Sequence, residues 1–168
     1  ASLRRANGDL NEQYYKWQFL YAIVASGLYA PDYIGTEIRF PKGNKNAADI
    51  KMDSAIFDDI NWFDFYQRYH TQDDIQALDW LRRHLVAVIE IKDEKSRDVA
   101  AVWDKQLKAY LKESERDFCL GVIYDAERLY LFRKQGGKYL RFSDEFNIQG
   151  DDSATKDLSL NIPDPYLN

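Results

Sequence analysis

The nine residues Val86 to Glu94, V-A-V-I-E-I-K-D-E, place a carboxylate and an amine two positions apart at the end of an apolar run. Val86, Ala87, Val88 and Ile89 are apolar and mostly β-branched, the composition of a buried strand. Alternate side chains of a strand project to opposite faces. Glu90 and Lys92 therefore share one face, and Ile89 and Ile91 enter the other layer. An acid and a base at the end of a hydrophobic strand are costly unless they meet a partner, a metal ion or solvent. Two readings follow. Either the strand frays into water, with Lys92, Asp93, Glu94 and Lys95 as a solvated charge cluster, or Glu90 and Lys92 belong to a site that handles charge.

Candidate partners lie on both sides of this stretch. Residues 47 to 53, A-A-D-I-K-M-D, read as a short strand with Ala48, Ile50 and Met52 on one face and Asp49, Lys51 and Asp53 on the other. Residues 97 to 113 carry the clearest helical period, through Val99, Val102, Trp103, Gln106, Leu107, Tyr110 and Leu111. Gln106 is the one amide in that stripe and needs hydrogen-bond partners, either backbone and water at the stripe's edge or the groups around Glu90 and Lys92.

The elements that must position these residues can be read in order. Residues 10 to 28 form a helix with an apolar stripe of Leu10, Tyr14, Trp17, Tyr21, Val24 and Leu28, capped by Asn7 or Asp9, with Glu12 near its start. Pro31 breaks the pattern, and residues 34 to 40, I-G-T-E-I-R-F, alternate as a strand with Glu37 and Arg39 on its polar face. Residues 41 to 46 are a turn whose Lys42 and Lys45 could touch phosphate. Residues 54 to 84 hold an aromatic insertion, I-N-W-F-D-F-Y-Q-R-Y-H, read as a satellite core or a stacking platform, and then a helix from about Thr71 to His84. His70 and His84 lack metal-ligand spacing and read as structural or surface residues. After the 97–113 helix, residues 118 to 124 and 128 to 133 make a hairpin, and Tyr139 to Phe142 is an edge strand. A helix linking the Glu90 strand to the Phe118 strand is a crossover, which predicts a parallel pair within a mixed sheet.

The chain has 168 residues, 45% hydrophobic and 30% charged, enough for one core-forming domain at 1–150 followed by a polar tail or linker at 151–168. Its net charge of -5 offers no overall basic field for nucleic acid, although a local basic groove can coexist with acids that hold metal. A single cysteine, Cys119, excludes an intrachain disulfide and a cysteine-rich metal site, and in F-C-L-G-V-I it reads as a core residue. No run is long and apolar enough for a membrane span and no signal-peptide pattern is present, so the expected location is cytoplasmic. The start at Ala1 and the proline-punctuated end point to a piece of a longer protein.

The order A-A-D-I, then I-E-I-K, then Q-L-K-A-Y on a crossover helix resembles the PD-(D/E)-x-K nuclease superfamily, the restriction-endonuclease-like fold. The Gln-x-x-x-Tyr element is similar to its RecB-type branch. The opening helix and strand, the A-D-I-x-x-D strand and the G-V-I-Y-D…L-Y-L-F hairpin are most similar to the N-terminal nuclease domain of type I restriction-enzyme R subunits and fused restriction–modification enzymes. The resemblance covers roughly residues 10 to 142. Ala48 stands where the family name has Pro, and the gap from Asp49 to Glu90 is long.

The resemblance implies an α/β restriction-endonuclease-like core, with a mixed central β-sheet flanked by helices. It implies a magnesium-dependent (or manganese-dependent) endonuclease that hydrolyses DNA phosphodiester bonds as the cleavage module of a larger restriction enzyme, with DNA and further domains or subunits as partners. Asp49 and Glu90 would ligate the metal, joined by the Ile91 carbonyl and by an extra acid, Glu12 or Glu37. Asp53 and Asp58 are rivals to Asp49. Lys92 would orient or deprotonate the attacking water, and Gln106 and Tyr110 would position the scissile strand or Lys92. The alternatives are a degenerate nuclease fold that binds or docks without cleavage, and a non-nuclease α/β domain with accidental motifs, which a structure placing Asp49 beyond metal-ligand reach of Glu90 would support.

Overall fold

The computed structural model describes residues 3–42, 48–93, 98–126 and 128–141. Expectations for Lys45, Glu94, Lys95, Phe142 and the tail from Asp151 lie outside these residues. The chain builds a six-stranded mixed sheet in sequence order, from β1 (Ile34–Phe40) through β2 (Ile50–Phe57), β3 (Leu85–Ile91), β4 (Leu120–Tyr124) and β5 (Leu129–Gln135) to β6 (Lys138–Arg141). Among the described residues only β3 and β4 run parallel, which is the pair the crossover predicted; the other neighbours are antiparallel.

Each face of the sheet carries helices. One layer holds Phe40, Met52, Phe57, Val88, Trp103, Leu107, Leu111 and Phe132, covered by α2 (Trp62–Gln72), α3 (Ile75–His84) and the crossover helix. The other holds Ile56, Ala87, Ile89, Ile91 and Val122 under α1 (Glu12–Ala25). Val88 and Ile89 thus enter opposite layers, as the strand period requires. The crossover helix is α4 (Val99–Val102), a π-helical turn at Trp103–Leu107 and α5 (Lys108–Glu113), without a break. Gly121 lets this helix lie close on β4: a Cβ there would stand 2.9 Å from Leu111 Cδ1 and 3.1 Å from Leu107 Cδ2.

Four local expectations are corrected. Helix α1 buries Tyr15, Lys16, Leu20 and Ile23, whereas Trp17 and Tyr21 of the expected stripe are 53% and 75% exposed. The inward face includes a lysine because Glu37 pairs with it there, and hydropathy counts a lysine as outward. The cap of α1 is Asn11, whose side chain accepts from Tyr14 N at 3.2 Å, a contact typically worth about 1 kcal/mol. The aromatic insertion is the helix α2. Its Trp62, Phe65, Tyr66 and Tyr69 pack on the main core rather than on a satellite. Strand β2 begins at Ile50 and runs on through the buried Ser54-Ala55-Ile56-Phe57, so its middle lies further along the chain than the 47–53 reading placed it.

Candidate active site at a fork between two strands

Strands β2 and β3 pair from Phe57↔Leu85 as far as Ser54↔Ile89. Beyond that point β2 stays with β1, through Met52↔Ile38 to Ile50↔Phe40, and β3 stays with β4, through Ile91↔Tyr124. The sheet forks there, and backbone groups that would have continued the ladder need other partners. Lys92 N donates to Tyr124 O at 2.8 Å on the β4 side, so the N–H and C=O of Ile91 turn toward the fork. Asp53 enters it, and its Oδ2 accepts from Ile91 N at 2.8 Å. From the crossover helix, the Tyr110 hydroxyl donates to Lys51 O at 2.7 Å.

Glu90 follows this opening on β3 and is 3% exposed. Lys92 Nζ lies 2.5 Å from Glu90 Oε1. Burial first, and then the like charge of Asp53, push the Glu90 carboxyl up to about 7, against the pull of Lys92 and of the neighbouring Tyr110 hydroxyl. Asp53 is also raised, by burial above all, despite its bond from Ile91 N–H and the nearby Lys92 and Lys16. Glu12, from the first turn of α1, is raised by burial and by Asp53 and Glu37, with Lys92 and Lys16 opposing. Burial lowers Lys92, but Glu90, Glu12 and Asp53 outweigh it and hold the ammonium above its usual range. The Tyr110 phenol is raised by burial and by Glu90, and Gln106 hydrogen-bonds it from one turn earlier, within the π-helical stretch. Such stretches recur at functional sites because one extra residue in a turn re-aims the side chains around it.

The fork therefore gathers Glu12, Asp53, Glu90, Lys92, Gln106 and Tyr110. It leaves out Asp49, which is exposed, precedes β2, and lies near Tyr66 and Tyr69 of α2. Asp58 is at the other end of β3, with His84 Nδ1 2.6 Å from its Oδ1 and Arg116 on its other oxygen. Glu37 has both carboxylate oxygens engaged, one by Lys16 and one by Lys51, and these lysines hold its carboxyl below the usual range against the burial that would raise it. Asp93, expected in a solvated cluster, is buried and pairs with Arg5. Lys16 is the member that sequence reading missed. Its one signal was its place a turn after Glu12 on the same helix face.

Among the described residues no group of three or more His, Cys, Asp or Glu side chains is placed to hold a metal ion. The donors at the fork are hard oxygens: the carboxylates of Asp53 and Glu90, with the Ile91 carbonyl turned toward them. Magnesium commonly takes one or two carboxylates and keeps several waters, so this donor set fits it in kind. The mutual repulsion of Asp53 and Glu90 is the charge that such a dication would neutralise. Cys119 is buried in the core, which pushes its thiol up to about 12, far from nucleophilic. Comparison of the chain with protein-family models, with curated proteins and with solved structures found no match.

Proposed function

We propose that the fork is the active site of a metal-dependent DNA endonuclease on a restriction-endonuclease-like core, the cutting module of a larger restriction enzyme. The observation that carries this reading is the meeting of Asp53 with Glu90 and Lys92 at one strand divergence, roofed by Tyr110 and Gln106. Asp53 takes the role first expected of Asp49, and Glu12 is favoured over Glu37 as the supporting acid because Glu37 is already held by two lysines.

Hydrolysis of a phosphodiester adds a water oxygen to phosphorus and breaks the bond to the 3′ oxygen, leaving a 5′ phosphate and a 3′ hydroxyl. Magnesium or manganese, when bound, would neutralise charge growing on the phosphoryl oxygens and acidify the water. Asp53, Glu90 and the Ile91 carbonyl would hold that ion. Lys92 starts as an ammonium, because its three acidic neighbours outweigh burial, so in the resting protein it is a donor that orients water or phosphate oxygen. The Tyr110 hydroxyl is anchored on the Lys51 carbonyl beside Glu90, and Gln106 hydrogen-bonds Tyr110.

The test is incubation with supercoiled plasmid DNA and magnesium or manganese. Nicking or linearisation that stops on chelation is expected, with rates lowered by roughly 10²- to 10⁴-fold in Lys92→Ala, the range for a positioned proton-handling group, and lost in Glu90→Ala. Full activity in both variants would refute the reading. DNA binding without any hydrolysis would replace it with the binding or docking module.

A further inference from the structure

Lys16 is 2% exposed, an unusual position for a lysine. It sits one turn after Glu12 on the face of α1 that meets the sheet. Its Nζ pairs with Glu37 Oε1, and Glu37 Oε2 pairs with Lys51 Nζ. One carboxylate thus ties α1 to β2. Glu37 stands opposite Asp53, between the pairs Thr36↔Ser54 and Ile38↔Met52, with φ +56°. A left-handed non-glycine residue inside a strand is strained and persists only where its surroundings hold it. Both lysines engage its carboxylate here. Each end of the bridge also carries an acid of the proposed site: Glu12 four residues before Lys16 on α1, and Asp53 two residues after Lys51 on β2.

We propose that Lys16 is a positioning residue, and that the Lys16–Glu37–Lys51 bridge sets where Glu12 stands relative to Asp53 and Lys92. This inference rests on the nuclease reading for its consequence but not for its geometry. Glu37 is the clasp of the bridge and does not ligate metal. A buried lysine that served packing alone would need neither a strained partner nor a second lysine on the adjoining strand.

The experiment compares wild type with Lys16→Gln, Lys16→Arg and Glu37→Gln. The first measurement is the side-chain carboxyl ¹³C resonance of Glu12 in metal-free protein. It moves in Lys16→Gln and in Glu37→Gln and returns toward wild type in Lys16→Arg. The second is manganese binding by calorimetry, which weakens at least several-fold in Lys16→Gln and Glu37→Gln alike without being abolished. The third is cleavage, with kcat down at least tenfold in Lys16→Gln, KM for DNA unchanged, and partial rescue by Lys16→Arg. An unmoved Glu12 resonance overturns the proposal, as does a Lys16→Gln protein that only melts earlier while binding manganese and cleaving normally. Loss of all manganese binding in Glu37→Gln but not in Lys16→Gln would make Glu37 a ligand and overturn it too. Should Lys16→Gln not fold, Glu37→Gln, which leaves the lysine in place, decides on the same readouts. A wild type that neither binds manganese nor cleaves would count against the nuclease reading, and the Glu12 resonance would still decide the bridge.

Discussion

Glu90 is a buried carboxyl beside the like charge of Asp53. Its folded-state carboxyl is raised to about 7 from an ordinary value of 4.5. The fold therefore favours the protonated form. The stability this contributes is fully present below the unfolded value and is lost as pH rises through the folded one. For metal-free protein the account predicts a melting temperature that falls between about pH 4.5 and 7. The fall should be shallower in Glu90→Gln, which cannot ionise. Melting curves across that range check it, and equal slopes in both proteins would contradict it. Magnesium should flatten the wild-type fall, since the ion favours the charged carboxylate. Glu90 and Lys92 were legible from sequence because an acid and a base interrupted an apolar strand at a spacing of two. Asp53 was legible only as a rival. The buried run Ser54 to Phe57 was not read as strand, so β2 seemed to be centred near Asp49 when the fork lies further along.

At the scale of elements, the site depends on how closely the crossover helix lies on β4. That approach passes over Gly121, where a methyl group would press on Leu107 and Leu111. Overpacking of this kind costs about 1–3 kcal/mol. Gly121→Ala should lower the urea midpoint by a corresponding amount and, by lifting α5, loosen Tyr110 from Lys51 O beside Glu90. A midpoint equal to that of wild type would show that the helix has room to move. The period of this helix was readable because its stripe is apolar and continuous. The faces of α1 and α2 were not. On α1 the buried Lys16 and the exposed Trp17 and Tyr21 invert the hydropathy pattern. On α2 the spacing of Trp62, Phe65, Tyr66 and Tyr69 is helical, but the exposed Phe63 among them blurs the period.

The described residues form a mixed sheet that forks between β2 and β3, with helices on both faces and, among those residues, one parallel pair beside the fork. Among the described residues no helix is long and apolar enough to cross a membrane. Parallel pairing at β3 and β4 followed from the order strand, helix, strand, because a parallel neighbour needs a crossover. The fork did not follow from any local pattern. It depends on β2 keeping β1 as its partner while β3 keeps β4, a choice made by long-range pairing and sealed by Asp53 and Tyr110. With a net charge of -5 and the three acids Glu12, Asp53 and Glu90 gathered with one lysine at the fork, approach of a polyanion is favoured by a bound dication, and the account turns on that metal. The most direct measurement is calorimetric titration of manganese into wild type, Asp53→Asn and Asp49→Asn. The account predicts binding by wild type and Asp49→Asn and its loss in Asp53→Asn. No binding by wild type, or undiminished binding by Asp53→Asn, would contradict it.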